Sequence, residues 1–150
     1  MTEFIALSLL FLQGIFMAID EVYFHRRRGL GPWESWGHPL DTLSFLIASL
    51  VAIAPSDLFF GWKLELFLGL SIISSILITK DEFIHRQECS GGESWLHAIL
   101  FVLHPPALWA LWQIGNSENC NLLLPEIFLI AVVLVYQIFY WNFRWPKLKV

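Results

Sequence analysis

Asp20-Glu21-Val22-Tyr23-Phe24-His25-Arg26, followed after a short turn by Glu34-Ser35-Trp36-Gly37-His38, is a stretch that the chain writes twice. The second copy reads Asp81-Glu82-Phe83-Ile84-His85-Arg86 and then Glu93-Ser94-Trp95-Leu96-His97. The shared pattern is D-E, then H-R, a Gly-containing turn, then E-S-W-x-H, with a gap of at most one residue on each side of the loop. Apolar runs flank each copy, so each copy reads as the polar end of a helical hairpin. Working outward, the chain becomes two parallel hairpins, helices 1–2 over about residues 4–56 and helices 3–4 over about 62–115. A fifth helix covers about residues 121–142. Parallel repeats related by an axis along the membrane normal are an established membrane architecture. Short loops make the helices of a hairpin antiparallel neighbours, which suits a four-helix bundle.

The apolar runs are the spans. A membrane helix needs about 20 predominantly apolar residues. The candidates are Phe4 to Ile19 continuing to about His25, Leu43 to Ala54, Leu64 to Thr79, Leu96 to Ile114, and Leu122 to Tyr140. Composition agrees: of 150 residues, 57% are hydrophobic and 15% charged, with eight Trp and thirteen Phe. Mean hydropathy is +0.62. Soluble domains carry about a quarter charged residues. A net charge of −4 argues against a nucleic-acid partner, and two cysteines against a disulfide scaffold. The expected fold is therefore an all-α integral membrane protein, a single domain over residues 1–150 with five transmembrane helices. The first run lacks a basic leader and ends in Asp20-Glu21 and Arg26-Arg27-Arg28, so it reads as a retained helix, not a cleaved signal.

Charge sets the orientation. With five spans, Arg26, Arg27, Arg28, Lys80, Arg86, Arg144, Lys147 and Lys149 share one side, and of the nine basic residues only Lys63 falls on the other. The positive-inside rule places that side, with the C-terminus, in the cytoplasm and the N-terminus outside. In a bacterium the membrane would be the inner one. Arg26 to Arg28 read first as topology signals, with anionic head-group binding as the sharper option.

All five histidines fall in the same half of the first four helices, with many of the acids. Helical spacing aligns them: Glu21 with His25, Asp81 and Glu82 with His85, Glu34 with His38 and Asp41, and Glu93 with His97 and then His104. Ionisable side chains in hydrocarbon are costly, so they face the bundle interior and pair or bind something. Imidazole with carboxylate and no thiolate suits iron, manganese or zinc. The ligand candidates are Glu21, His25, His38, Asp41, Asp81, Glu82, His85, His97 and His104, joined by Asp20, Glu34 and Glu93. Their number exceeds the need of one ion and matches two divalent ions, with iron favoured.

Each candidate also has a purely structural explanation. Asp20, Glu21, Asp81 and Glu82 stand at helix ends where Arg26 to Arg28 and Arg86 can pair with them. Glu34 and Glu93 stand in first turns, where a carboxylate complements the helix dipole, and Ser90-Gly91-Gly92-Glu93 reads as a capping box. His38, His97 and His104 could be satisfied core histidines. Pro105-Pro106 inside the fourth span predicts a kink. Cys89 is a thiol near the site with no counterpart in the other copy.

In these few residues the pattern chemically resembles the carboxylate-bridged di-iron site of ferritin-like bundles, where two helices give Glu-x-x-His and two give a single Glu. Glu82-x-x-His85 fits it; Glu21-x-x-x-His25 and the E-x-x-x-H of helices 2 and 4 do not. Three functions follow as expectations. The first is a membrane-embedded dinuclear oxidoreductase (a hydroxylase, desaturase or oxidase) acting at the cytoplasmic face on a membrane lipid or other lipophilic substrate, with an external electron donor. The second is a zinc-dependent lipid hydrolase. The third is a non-enzymatic heme- or metal-binding membrane protein.

Overall fold

A computed structural model describes residues 2–80 and 82–145, with residues 84, 85 and 87 described by backbone alone. Its described residues form helices and connecting turns. We number the helices α1 (Glu3–Arg28), α2 (Pro32–Ile53), α3 (Lys63–Leu77), α4 (Glu82–Glu88), α5 (Gly91–Gly115) and α6 (Cys120–Arg144).

Four of these, α1, α2, α5 and α6, are long and apolar enough to cross a membrane. At about 1.5 Å per residue, the 26 residues of α1 reach about 39 Å, past a hydrocarbon core of about 30 Å. The third expected span is different. Helix α3 is apolar but stops after 15 residues, about 22 Å, at the turn through Ile78 to Lys80. The chain then starts a separate short helix, α4, whose Glu82 and Phe83 are exposed. Among the described residues, α1, α2, α3, α5 and α6 correspond to the five expected helices, and four of them have spanning length.

Local chemistry sets the ends. Helix α2 starts with Pro32 in its first turn, where the missing N–H is harmless, and Glu34 reaches back to accept from the Gly31 N–H at 3.0 Å. Ser90 caps α5, its hydroxyl accepting from the Glu93 N–H at 3.3 Å. Gly29 ends α1 with φ of +80°, a conformation that side chains with a Cβ avoid. Helix α5 continues through Pro105-Pro106 to Gly115.

Packing departs from the expected hairpin pairing. The most extensive contact of α1 is with α5, while α2 packs most extensively against α3 and α6. Helices α2 and α5 meet at the centre. There Ala48, Ala52, Ala107 and Ala110 are fully buried, and small residues let two backbones approach closely when no water-driven force holds membrane helices together.

Candidate metal centre

The polar layer lies where α1, α2 and α5 come together at their charged ends. Helix α1 changes pitch there: Asp20 to His25 form a π-helical turn. Such a wide turn bonds residues five apart instead of four, so it stacks Asp20 beneath His25. Asp20 Oδ2 stands 3.2 Å from His25 Nε2. Glu21, four residues before His25, stays within 3.7 Å of its Nδ1. The imidazole of His25 is thus held between two carboxylates and is 1% exposed.

Helix α5 supplies the other side. His97 Nε2 lies 3.1 and 3.2 Å from the two oxygens of Asp20, so Asp20 is shared between the histidines. Glu93, one turn earlier, completes the group. One ligand atom from each of Asp20, His25, Glu93 and His97 lies within 4.8 Å of the others, and all four residues are buried. His38 on α2 joins from the third side, its ring 4.5 Å from that of His25.

The surroundings hold this group in place. Glu21 accepts from Gln137 Nε2 at 3.1 Å and from the Trp141 indole, both on α6. Arg28 spans the two helix-start carboxylates: its Nη1 and Nη2 bind Glu34 at 3.0 and 2.6 Å, and its Nε binds Glu93 at 3.1 Å. Glu88 stands further off, at 3.5 Å. Asp20 and Glu21 are met by imidazoles and neutral donors. Glu34 and Glu93, both drawn out of water, share the single guanidinium of Arg28, an excess of carboxylate that a cation would neutralise. An open cavity of about 360 Å³ reaches the Glu93 side of the group, lined by Tyr23, Phe24, Arg27, Arg28, Glu88, Ser90 and Glu93.

The remaining candidates are placed elsewhere. His104 sits two turns along α5 from His97, with Gln13 Nε2 3.0 Å from its Nδ1 and Ser74 Oγ 3.0 Å from its Nε2. It belongs to a buried polar contact between α1, α3 and α5. Asp41 receives Lys80. Glu34 is engaged by Arg28 and its own helix start, and Glu82 is exposed. Asp81 and the side chain of His85 lie outside the described residues. Cys89 is half-buried, and burial together with the neighbouring Glu93 carboxylate pushes its thiol pKa up, which disfavours the thiolate a metal would need.

Sequence spacing undervalued Asp20, Glu93 and Arg28. An α-helix pairs Glu21 with His25 and turns Asp20 away, and only the wide turn reverses this. Arg28 is one of three consecutive arginines, with nothing in the triplet to mark it.

Comparison with protein-family models, with curated proteins and with solved structures finds no match to this chain. What the fold and the site define is a class: an all-helical chain with membrane-compatible helices and a buried Asp-His-Glu-His cluster that could hold a metal ion.

Proposed function

We propose that the protein is a membrane-embedded metalloprotein whose metal site is Asp20, His25, Glu93 and His97, and that it is an oxidoreductase acting on a lipophilic substrate at the cytoplasmic face. The observation that carries the metal reading is the convergence of four buried N and O ligands within 4.8 Å. Two ligands on opposite sides of an ion, at about 2.1 Å each, lie about 4.2 Å apart, so the group needs little closure. Two imidazoles and two carboxylates suit iron, manganese or zinc, and on a six-coordinate iron or manganese the set would leave positions open for a reactant. Glu21 and His38, both beside His25, supply donors for a second ion.

In this reading Asp20 is the central carboxylate of the site, since it meets both His25 and His97 and would be held against a metal beside either. Glu21, fixed by Gln137 and Trp141, orients His25. Arg28 fixes Glu93 and limits the charge of the site. The cavity beside Glu93, with Tyr23 and Phe24 in its lining, would give a reactant access from the head-group region. Iron held there would supply redox chemistry, with electrons from an external donor.

We further read the chain as a diverged tandem repeat, and its packing supports this. A two-fold relation that exchanges the copies converts the α1–α5 contact into the α3–α2 contact, and both are extensive. Glu34 and Glu93, equivalent in the copies, share Arg28. Gln13 and Ser74, each seven residues before a D-E pair, share His104.

The test is metal content and stoichiometry on detergent-purified protein, alongside His25→Ala and His97→Ala, followed by oxygen consumption with a chemical electron donor. Bound iron that both variants lose supports the proposal. Full metal retention by both variants overturns the site. A single oxygen-insensitive zinc would keep the site and replace the oxidoreductase with a hydrolase.

A further inference from the structure

A second cavity, of about 480 Å³, opens on the seam between α1 and α6 and is lined by Arg26, Tyr136, Phe139, Tyr140, Phe143 and Arg144. Two arginines from different helices line it, and none of its described lining residues is acidic. Arg26 is braced rather than loose. Its Nε and Nη2 both donate to the Tyr136 hydroxyl at 3.3 Å, and its guanidinium lies over the Tyr140 ring at 5.2 Å. That fixes the plane of the group and leaves part of its five-donor fork for an anion. Glu21, one turn away on α1, points inward to Gln137 and Trp141 instead of into this cavity.

The cavity continues into an apolar stripe. Phe128, Val132, Val135, Phe139 and Phe143 are all exposed, and their spacing of three or four residues puts them on one face of α6. Helix α6 is the most apolar of the spanning candidates, so this face meets hydrocarbon. Paired arginines at the head-group level above a continuous apolar stripe match one kind of molecule: a phosphate on the guanidiniums with an acyl chain laid along the helix.

We propose that Arg26 and Arg144 form a binding site for the phosphate of an anionic membrane phospholipid, whose acyl chain follows the Phe128 to Phe143 stripe. The site is separate from the metal centre and does not depend on it. Attraction of about 1 kcal/mol per basic residue near the surface corresponds to about fivefold per arginine.

Native mass spectrometry tests this on the full chain released from micelles containing equal phosphatidylglycerol and phosphatidylcholine. The expected result is one retained phosphatidylglycerol, preferred by about tenfold or more. Arg144→Ala should weaken the preference about fivefold, and Arg26→Ala with Arg144→Ala should abolish it. Arg144 is exposed, so its single variant reports on the site even if the double variant misfolds. Arg86→Ala, removing an exposed arginine of α4, should leave the preference intact. Equal retention of both lipids overturns the proposal, and so does an equal loss in Arg86→Ala. Displacement of the lipid by inorganic phosphate at matching concentration assigns the site to free phosphate and overturns it too.

Discussion

Asp20 and His25 are five residues apart on one helix, yet Asp20 Oδ2 lies 3.2 Å from His25 Nε2. In an α-helix the two side chains would point well away from each other, and the π-helical turn between them is what brings them together. The first copy of the repeated stretch reads D-E-V-Y-F-H and the second D-E-F-I-H, so the first holds one more residue. A helix absorbs a single extra residue as one wide turn. Deleting Val22, which is 54% exposed and outside the cluster, should restore α-helical pitch. Asp20 then stays one turn from His25, but the two halves of α1 are turned by about 100° relative to each other, so Asp20 and His25 can no longer both meet their partners on α2, α5 and α6. The expected outcome is a helical protein with metal occupancy reduced at least tenfold, whereas Val22→Ala keeps full occupancy. Elemental analysis beside circular dichroism decides it, and full occupancy in the folded deletion variant would remove the wide turn from the argument.

That one-residue difference was visible in the sequence and is the signal that could have promoted Asp20. The all-helical, membrane-compatible architecture and the concentration of His and carboxylate in one layer were legible because apolar runs and helical spacing are local properties. The length of α3 was not. Leu64 to Thr79 reads as one apolar run, but the helix stops at Leu77, before Lys80 turns to Asp41 on α2. Partner choice was also hidden: the short turn at Gly29 to Gly31 suggests that α1 and α2 are neighbours, whereas α1 lies on α5. Side-chain pairing between distant helices, such as Arg28 with Glu93 or Gln13 with His104, has no one-dimensional pattern to reveal it.

Arg28 joins Glu34 and Glu93, which are 0% and 2% exposed. Removing it leaves two carboxylates buried near Asp20 and Glu21. Arg28→Ala should destabilise the protein by roughly 3–5 kcal/mol, the range for breaking a buried pair from one side. Arg28→Lys should recover only part of this, because an ammonium cannot make the two-pronged contact with Glu34 and also reach Glu93. Thermal melting in detergent measures both. Equal stability of Arg28→Ala and the unaltered protein would show that the carboxylates do not need it.

Gly115 lies against Ala52, and a Cβ placed on it would stand 2.6 Å from the Ala52 carbonyl oxygen. The neighbour is backbone, which cannot rotate aside. Gly115→Ala should therefore push α2 and α5 apart and lower stability by about 1–3 kcal/mol. Gly69, with open space around it on α3, supplies the contrast. Gly69→Ala should be neutral, or more stable by up to about 1 kcal/mol from helix propensity. A melting temperature that falls equally in both variants would contradict the close α2–α5 approach.

His97 and His104 share a helix and a stripe, yet their partners assign them different work. His97 faces Asp20 within the cluster that could hold a metal, while both ring nitrogens of His104 are engaged by Gln13 and Ser74. Replacing His104 with Leu leaves two buried polar groups without that partner, a loss of roughly 1–3 kcal/mol for each unsatisfied group. His104→Leu should accordingly melt earlier but retain its metal. His97→Leu removes a ligand, so it should lose metal under the same dialysis conditions. Metal content separates the two variants even when both are destabilised. If His104→Leu also releases the ion while remaining helical, the centre extends further along α5 than Asp20, His25, Glu93 and His97, and the boundary drawn between metal site and structural histidine is wrong.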